Sequence, residues 1–229
     1  MKCPLFMTET MFAGATIGPQ GIQPDLEKLT AIVNWKQPTD ALNLESFLGL
    51  TSHFRDLVRS YAKREGPLCD LVKAAPLKIP YSKATYCRML RDFKLAERWT
   101  DNHTTAFLDL KTALVSQPIL QAPRYDGSNF MVTSDGCQEG FAAVLSQRVR
   151  KQKPSGKWVE CLLPIAFASK QTSRTEQNYK PFLLEFAALK FGLNKFSDTI
   201  WGFPVEIETD CQVLCDILLS DNLNAAHAC

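Results

Sequence analysis

Residues 129–148 read NFMVTSDGCQEGFAAVLSQR, and the fold class is decided there. Asn129 to Asp135 and Gly140 to Arg148 are β-rich runs, and the link Gly136 to Glu139 is short enough for a hairpin. Trp158 to Ser169 continues the pattern as a third strand. Pro181 to Phe196 is apolar on nearly every face, which predicts a well-buried helix. Val205 to Asp210 alternates as a strand, and Cys211 to Leu219 returns to helical spacing. The order βββαβα brings a strand back after a helical crossover. The C-terminal half is therefore predicted to be a mixed sheet with helices packed on it, an α/β fold of the mixed α+β kind.

Three acids stand out by context. Asp135 ends the first of these strands, Asp210 ends the later one, and Glu185 lies in Phe182-Leu183-Leu184-Glu185-Phe186-Ala187-Ala188-Leu189, where almost every neighbour is apolar. A lone carboxylate in a buried helix costs several kcal/mol unless cations or hydrogen bonds compensate. Two strand-end aspartates on neighbouring strands, faced by that glutamate, would form the oxygen cage that Mg²⁺ prefers, and two such ions can clamp both oxygens of a phosphodiester displacement. Each acid also has a plainer role open to it. Asp135 could be a turn residue before Gly136, Asp210 could cap the helix at Cys211, and Glu185 could be a first-turn acid favoured by the helix dipole.

Working towards the N-terminus, the chain becomes mainly helical. Residues 76–100 form a basic, proline-bounded connection with one helix around Tyr86–Glu97. Beyond it, a helix carries Phe107, Leu110 and Leu114 and stops at Pro118. Pro67 begins a shorter helical piece through Leu71 and Val72. Before it, Thr39 to Asn43 supplies caps for a helix striped by Leu44, Phe47, Leu48, Thr51, Phe54 and Leu57. Pro24 opens another, with Leu26, Leu29, Ile32 and Val33 on one face. Leu5 to Ile17 predicts one or two short strands ending in the turn Gly18-Pro19-Gln20-Gly21.

The 229 residues are 45% hydrophobic and 22% charged with a formal charge of +2, a globular composition that excludes a disordered tail or a collagen-like fibre. No apolar run reaches the ~18 residues of a membrane span, and no signal-peptide core follows Met1-Lys2. Eight irregularly spaced cysteines do not make a disulfide scaffold in a chain this long. They read as reduced thiols, which places the chain inside the cell, in the cytoplasm or nucleus. The set Cys211, Cys215, His227 and Cys229 fits no common zinc spacing. No GxSxG elbow, Walker A loop or GxGxxG occurs, and three scattered histidines offer no triad.

Positive charge is concentrated in two stretches. Lys78 to Arg98 carries six bases against Asp92 and Glu97, with Tyr81, Tyr86, Phe93 and Trp99 interleaved, and Arg148 to Lys157 carries five bases and no acid. Lys83, Arg88, Arg91 and Lys94 in the first, and Arg148, Arg150, Lys151 and Lys153 in the second, are the candidates for contacting a nucleic-acid backbone. A solvated helix face and a basic hairpin loop would show the same charges.

Several stretches carry a family resemblance. Thr133-Ser134-Asp135-Gly136 with Gly140-Phe141-Ala142-Ala143-Val144-Leu145-Ser146-Gln147 closely resembles the RNase H module of gypsy-type LTR retrotransposon Pol polyproteins, as do Pro164-Ile165-Ala166-Phe167-Ala168-Ser169-Lys170, Asn178-Tyr179, Glu185-Phe186-Ala187-Ala188-Leu189-Lys190-Phe191 and Glu208-Thr209-Asp210. Upstream, Lys2-Cys3-Pro4-Leu5-Phe6 through Gly21-Ile22-Gln23-Pro24-Asp25 is similar to the end of the palm and the start of the thumb of their reverse transcriptase. Ser46-Phe47-Leu48-Gly49-Leu50, Pro67-Leu68 and Trp99-Thr100 with Ala106-Phe107 and Leu110-Lys111 resemble the thumb-to-connection region.

The resemblance implies a ribonuclease H-like fold in which Asp135, Glu185 and Asp210 bind metal and catalyse, with Mg²⁺ in a two-ion site and an RNA/DNA hybrid as substrate. It implies an organisation of palm edge (1–21), thumb-like helices (22–75), connection (76–125) and RNase H-like domain (126–229), within a longer Pol polyprotein whose remainder is a partner. The family's polymerase aspartates would precede Met1. Its last strand and helix, with a fourth active-site aspartate, would follow Cys229. The expectation is thus a metal-dependent RNase H in the parent protein, weak or inactive in this chain. The alternative is a non-catalytic remnant that binds nucleic acid or another partner.

Overall fold

The computed structural model describes residues 7–12, 15–19, 21–75, 82–116, 120–152 and 156–219. The chain divides into two compact units, Met1–Ala122 and Pro123–Cys229.

The first unit opens with three short antiparallel strands in the order β1 (Thr10–Phe12), β2 (Ala15–Gly18) and β3 (Gly21–Pro24). Five helices follow: α1 (Leu26–Val33), α2 (Ala41–Ser52), α3 (Tyr61–Lys73), α4 (Lys83–Asp92) and α5 (Asp101–Val115). Their starts are dictated by short polar side chains. Asp25 accepts from the Glu27 N–H at 3.0 Å, Asp40 from the Asn43 N–H at 2.9 Å and Ser82 from the Thr85 N–H at 3.2 Å. The core gathers Leu44, Phe47, Tyr61, Leu68, Leu110 and Leu114, all at most 2% exposed, and the Phe47 and Phe107 ring centroids lie 4.7 Å apart.

Three boundaries differ from the sequence-based expectation, each for a physical reason. Helix α2 stops at Ser52, before Phe54 and Leu57, where the backbone tightens to three-residue bonds, Phe54 N–H to the Thr51 carbonyl and Leu57 N–H to the Phe54 carbonyl, while the Thr51 and Ser52 hydroxyls bond back to the Leu48 and Gly49 carbonyls. Helix α3 starts at Tyr61, six residues before Pro67, which sits in the helix interior without a backbone N–H to donate. Burial of Tyr61 (0% exposed) and Ala62 (1%) carries the extra turns. Helix α4 ends at Asp92 because Phe93 and Leu95 bond to the chain at Thr39–Ala41.

Tyr61 is the centre of a small polar network inside this core. Its hydroxyl lies 2.9 Å from Thr51 Oγ1, and burial drives its pKa far above the ordinary value. Burial also pushes the neighbouring Cys69 thiol up to about 12, with the Glu65 carboxylate adding to the effect. Tyr61→Phe keeps the packing and removes one buried hydrogen bond. It is expected to cost about 1 kcal/mol, read as a lower denaturation midpoint with an unchanged slope.

The second unit holds β4 (Phe130–Gly136), β5 (Gly140–Gln152), β6 (Trp158–Gln171), α6 (Pro181–Ile200), β7 (Val205–Glu208) and α7 (Gln212–Leu219). Its sheet runs β6-β5-β4-β7. The first two pairings are antiparallel and the last, β4 with β7, is parallel. The expected βββαβα order and mixed sheet are present, with strands β5 and β6 longer than their apolar runs. Phe130, Val132, Ala143 and Leu145 meet Leu189, Phe196 and Ile200 of α6 in one core.

Two glycines set how closely α6 approaches. A Cβ on Gly136 would stand 2.2 Å from the Leu184 carbonyl oxygen, and one on Gly192 would stand 2.7 Å from the Ala143 Cβ. Helix α6 is not buried all round, as its composition predicts. Leu184, Ala188, Leu189, Gly192, Phe196 and Ile200 are buried, while Leu183, Lys190, Asn194 and Lys195 are exposed.

Candidate functional site

The parallel pairing of β4 and β7 brings Asp135, inside β4, and Asp210 to the same end of the sheet, although β7 stops at Glu208 and leaves Asp210 two residues past the strand instead of ending it as the alternation predicts. Phe130 pairs with Val205 and Thr133 with Glu208, a constant offset, and Asp135 and Asp210 each lie two residues beyond that last pair. Thr133 Oγ1 donates to Glu208 Oε2 at 2.9 Å, locking the two strands just before the aspartates. The plainer roles do not describe these residues. Asp135 pairs with Ala142 inside the ladder and is not a turn residue. The Cys211 carbonyl opens the bonding of α7, which puts Cys211 and not Asp210 at the N-cap position, and the Cys211 N–H is taken by Thr209 Oγ1 at 3.2 Å.

Glu185 arrives from the other side. It is the fifth residue of α6, past the first turn, and its Oε2 accepts the Gly136 N–H at 3.3 Å. The bare backbone of Gly136 is what allows this approach. The Glu185 carboxyl is raised above its ordinary range, first by burial and then by the negative charges of Asp135 and Asp210, with the Gly136 N–H working in the opposite direction. The three acids therefore share one electrostatic neighbourhood. Among the described residues, however, no three His, Cys, Asp or Glu side chains are gathered tightly enough to hold a metal ion as they stand. Asp135 and Asp210 are exposed, and neither carboxylate takes a hydrogen bond among the described residues. An all-carboxylate donor set with free lone pairs on an open rim fits a hard divalent cation such as Mg²⁺.

Ser134 stands in the Thr133-Ser134-Asp135-Gly136 stretch next to Asp135, with no role expected for it. It is 8% exposed, and its hydroxyl is the one buried side-chain atom without a hydrogen-bond partner among the described residues. The Asp-Gly pair at the end of a strand is the sequence signal that could have marked Gly136. Nothing in the sequence marks the Ser134 environment.

The candidate backbone-binding residues fare unevenly. Lys83, Arg88 and Arg91 are exposed on α4, and Arg150 is exposed on β5. Lys94 lies 3.7 Å from Asp40 and Arg148 lies 3.8 Å from Glu206, so each has an acid competing for its charge. Lys151 is placed in β5 by its backbone, and Lys153 lies outside the described residues. Tyr86, Phe93 and Trp99 of the first stretch are turned to packing, and Tyr81 lies outside the described residues. Tyr86 donates to Glu45 Oε1 at 2.6 Å, a bond that pushes the phenol up to about 12. Phe93 and Trp99 pack against the core of the first unit. The two basic stretches fall in different units.

The remaining side chemistry is plain. The six cysteines among the described residues are free thiols, and Cys211 packs against the sheet core, while His227 and Cys229 lie outside the described residues. No helix among the described residues is long and apolar enough to cross a membrane.

The class to which this arrangement is similar is given by comparison. Residues 99–207 match the family model of the RNase H-like domain found in reverse transcriptase. More particularly, the chain is 29% identical over 219 residues to the Retrovirus-related Pol polyprotein from transposon opus of Drosophila melanogaster, a match covering 95% of this chain and 20% of that protein. The polyprotein from transposon gypsy of the same organism is 26% identical over 226 residues, covering 98% and 20%. The chain thus spans about a fifth of the length of these curated relatives. Among solved structures, a foamy viral protease-reverse transcriptase in complex with an RNA/DNA hybrid superposes with a TM-score of 0.66 at 21% identity, covering 98% of this chain and 27% of that one. Its complex with double-stranded DNA gives 0.67 at 20%, covering 97% and 41%. The resemblance to gypsy-type retrotransposon Pol polyproteins and the RNase H-like mixed α/β fold are borne out.

Proposed function

We propose that the second unit is the metal-dependent ribonuclease H of a retrotransposon Pol polyprotein, which hydrolyses the RNA strand of RNA/DNA hybrids in the parent protein and does so weakly or not at all in this chain. The observation that carries this reading is geometric: the parallel β4–β7 register brings Asp135 and Asp210 to one end of the sheet, and Glu185 reaches that end from α6, its Oε2 accepting the Gly136 N–H at 3.3 Å. Asp135, Glu185 and Asp210 would hold Mg²⁺. When bound, that cation supplies Lewis-acid stabilisation of the attacking and leaving oxygens. The chain's own residues prepare the rim. The Gly136 N–H orients Glu185, the Thr133–Glu208 bond aligns the two strand ends, and exposure of both aspartates leaves room for a phosphodiester.

The wider assignments belong to the same proposal. Residues 1–21 act as the edge of a reverse-transcriptase palm, 22–75 as thumb, 76–125 as connection and 126–229 as the RNase H-like domain, joined to the rest of the polyprotein. Lys83, Arg88, Arg91 and Arg150, with Lys94, Arg148, Lys151 and Lys153, contact the sugar-phosphate backbone. Hybrid binding should then weaken with salt by about 0.9 log units per log of salt for each phosphate neutralised. Arg88→Gln/Arg91→Gln should flatten that slope by roughly 2 units, read by fluorescence anisotropy across a salt series. An unchanged slope would remove α4 from the interface.

The decisive experiment titrates Mg²⁺ against the thermal midpoint and, in parallel, against cleavage of a labelled hybrid. The midpoint is expected to rise with Mg²⁺, and cleavage, weak or absent in this chain, is expected to rise with it only where it is measurable. A folded protein indifferent to Mg²⁺ that binds hybrid without cutting it would refute the nuclease reading. It would favour a second one, a nucleic-acid-binding module without turnover, which is supported by the open arrangement of the three acids.

A further inference from the structure

Helix α6 carries a second stripe beside the one that meets the sheet. Leu183, Phe186, Ala187, Lys190, Phe191 and Asn194 recur at three- and four-residue intervals, which sets them on one flank. They line a groove of about 820 Å³ that also takes in Tyr179 and Lys195. The groove's other wall is the Lys170–Glu176 ion pair, with Nζ to Oε1 at 2.6 Å. The floor is apolar and half-buried at Phe186, Ala187 and Phe191, and Leu183 remains 38% exposed. Lys170 Nζ sits 5.8 Å from the Phe191 ring centroid, which ties the wall to the floor.

The charge along this groove has one sign. Lys190 and Lys195 are exposed on its edge, and among the described residues neither is paired with an acid. Among the described residues the one acid lining it, Glu176, is already neutralised by Lys170. Burial opposes its ionisation, but Lys170 and the Ser173 N–H outweigh that and hold its carboxyl below the ordinary range. An apolar helical stripe of three to four turns is the shape that receives a second helix by ridge-into-groove packing. Two unmatched ammonium groups beside it select carboxylates on the incoming helix. A nucleic-acid strand would meet the same charges, yet Phe186 and Phe191 are half-buried in the floor between Leu183 and Ala187 and do not stand free as a stacking platform, which leaves Tyr179 at one end as the most exposed ring.

From this we infer that the outer flank of α6 is a docking groove for an amphipathic helix of a protein partner, apolar along its centre and flanked by Asp or Glu. The inference stands apart from the nuclease reading, since none of its residues belongs to the carboxylate rim.

The test displays a library of 18-residue amphipathic helices on phage, with flanking positions drawn from Glu, Lys and Gln, and selects against the full chain. Glu is expected at the flanks. The selected peptide should bind Lys190→Glu/Lys195→Glu at least tenfold more weakly, and its Lys-flanked counterpart should bind that variant in its place. Circular dichroism confirms that the variant folds. Selection without a Glu bias, or affinity unmoved by the charge reversal, would overturn the inference. Displacement of the peptide by a single-stranded DNA oligonucleotide that itself needs Lys190 and Lys195 would overturn it in favour of a nucleic-acid groove. A selection that returns nothing, with Asn194→Cys shielded from a thiol reagent in the full chain, would show that the chain covers the groove itself and would equally reject it.

Discussion

Glu185→Gln is expected to be more stable than the unsubstituted protein at neutral pH and to cut hybrid far more slowly. The stability half follows from the raised carboxyl. In the unfolded chain Glu185 titrates near its ordinary value of about 4.3, and in the folded chain it titrates higher. Below the unfolded value both states are protonated and the residue costs nothing. As pH rises through the unfolded value towards the folded one, the unfolded chain releases its proton first and stability falls. Above the folded value the full cost remains. Thermal melts from pH 3 to 8 should therefore show the variant gaining on the parent as pH rises, with the two curves meeting at the acid end. The activity half follows from the nuclease reading. Losing a transition-state interaction of about 3–4 kcal/mol slows cleavage roughly 10²–10³-fold. A variant that is neither more stable at neutral pH nor slower would separate Glu185 from both arguments.

Gly136→Ala is expected to produce the largest loss of stability among the single substitutions considered. The added Cβ would meet the backbone carbonyl of Leu184 at 2.2 Å, and the next nearest atom is the Leu184 carbonyl carbon at 2.6 Å. A backbone atom cannot swing aside as a side chain can, so α6 must shift as a body. A cost of about 3 kcal/mol, the top of the usual range for overpacked sites, is the expectation. That shift would lengthen the 3.3 Å bond from Gly136 to Glu185. Urea denaturation measures the first effect. The second is checked by the pH dependence of the melts, which should change in the Gly136→Ala protein. A loss under ~0.5 kcal/mol would mean the helix accommodates the methyl group.

The elements of the second unit were legible because their periods differ sharply. Alternation at Val205–Glu208 and the unbroken apolar run of α6 leave little competition between strand and helix. The position of Asp135 near the end of β4 was legible for the same reason, whereas the alternation carried the later strand to Asp210 and β7 stops two residues earlier, at Glu208. That Glu185 would reach the Gly136 N–H was not, because it depends on how α6 seats on the sheet. The first unit was harder. Helix α3 begins at Tyr61 through a contact with Thr51, ten residues away, and α4 ends where a backbone bridge to Asp40 captures the chain at Lys94. Local propensity carries no record of such partners. The basic stretches show the same limit, since Asp40 and Glu206 stand far in sequence from Lys94 and Arg148.

Strands β5 and β6 pair to Gln152 and Trp158, but β4 accompanies β5 only as far as Gln147. Beyond that point Arg148–Gln152 and Trp158–Leu162 have each other and, among the described residues, no third strand. Two-stranded ribbons are marginal on their own, and the Arg148–Glu206 pair at this end is too exposed to add much. Amide hydrogens in 148–152 should consequently exchange with solvent by opening of the ribbon alone, at a much lower free energy than those of Phe130–Gly136, which wait for the whole unit to unfold. A polyanion laid across Arg148 and Arg150 would close this opening from outside, so its footprint would be readable as slowed exchange at the tip of the hairpin while the sheet beneath keeps its own rate.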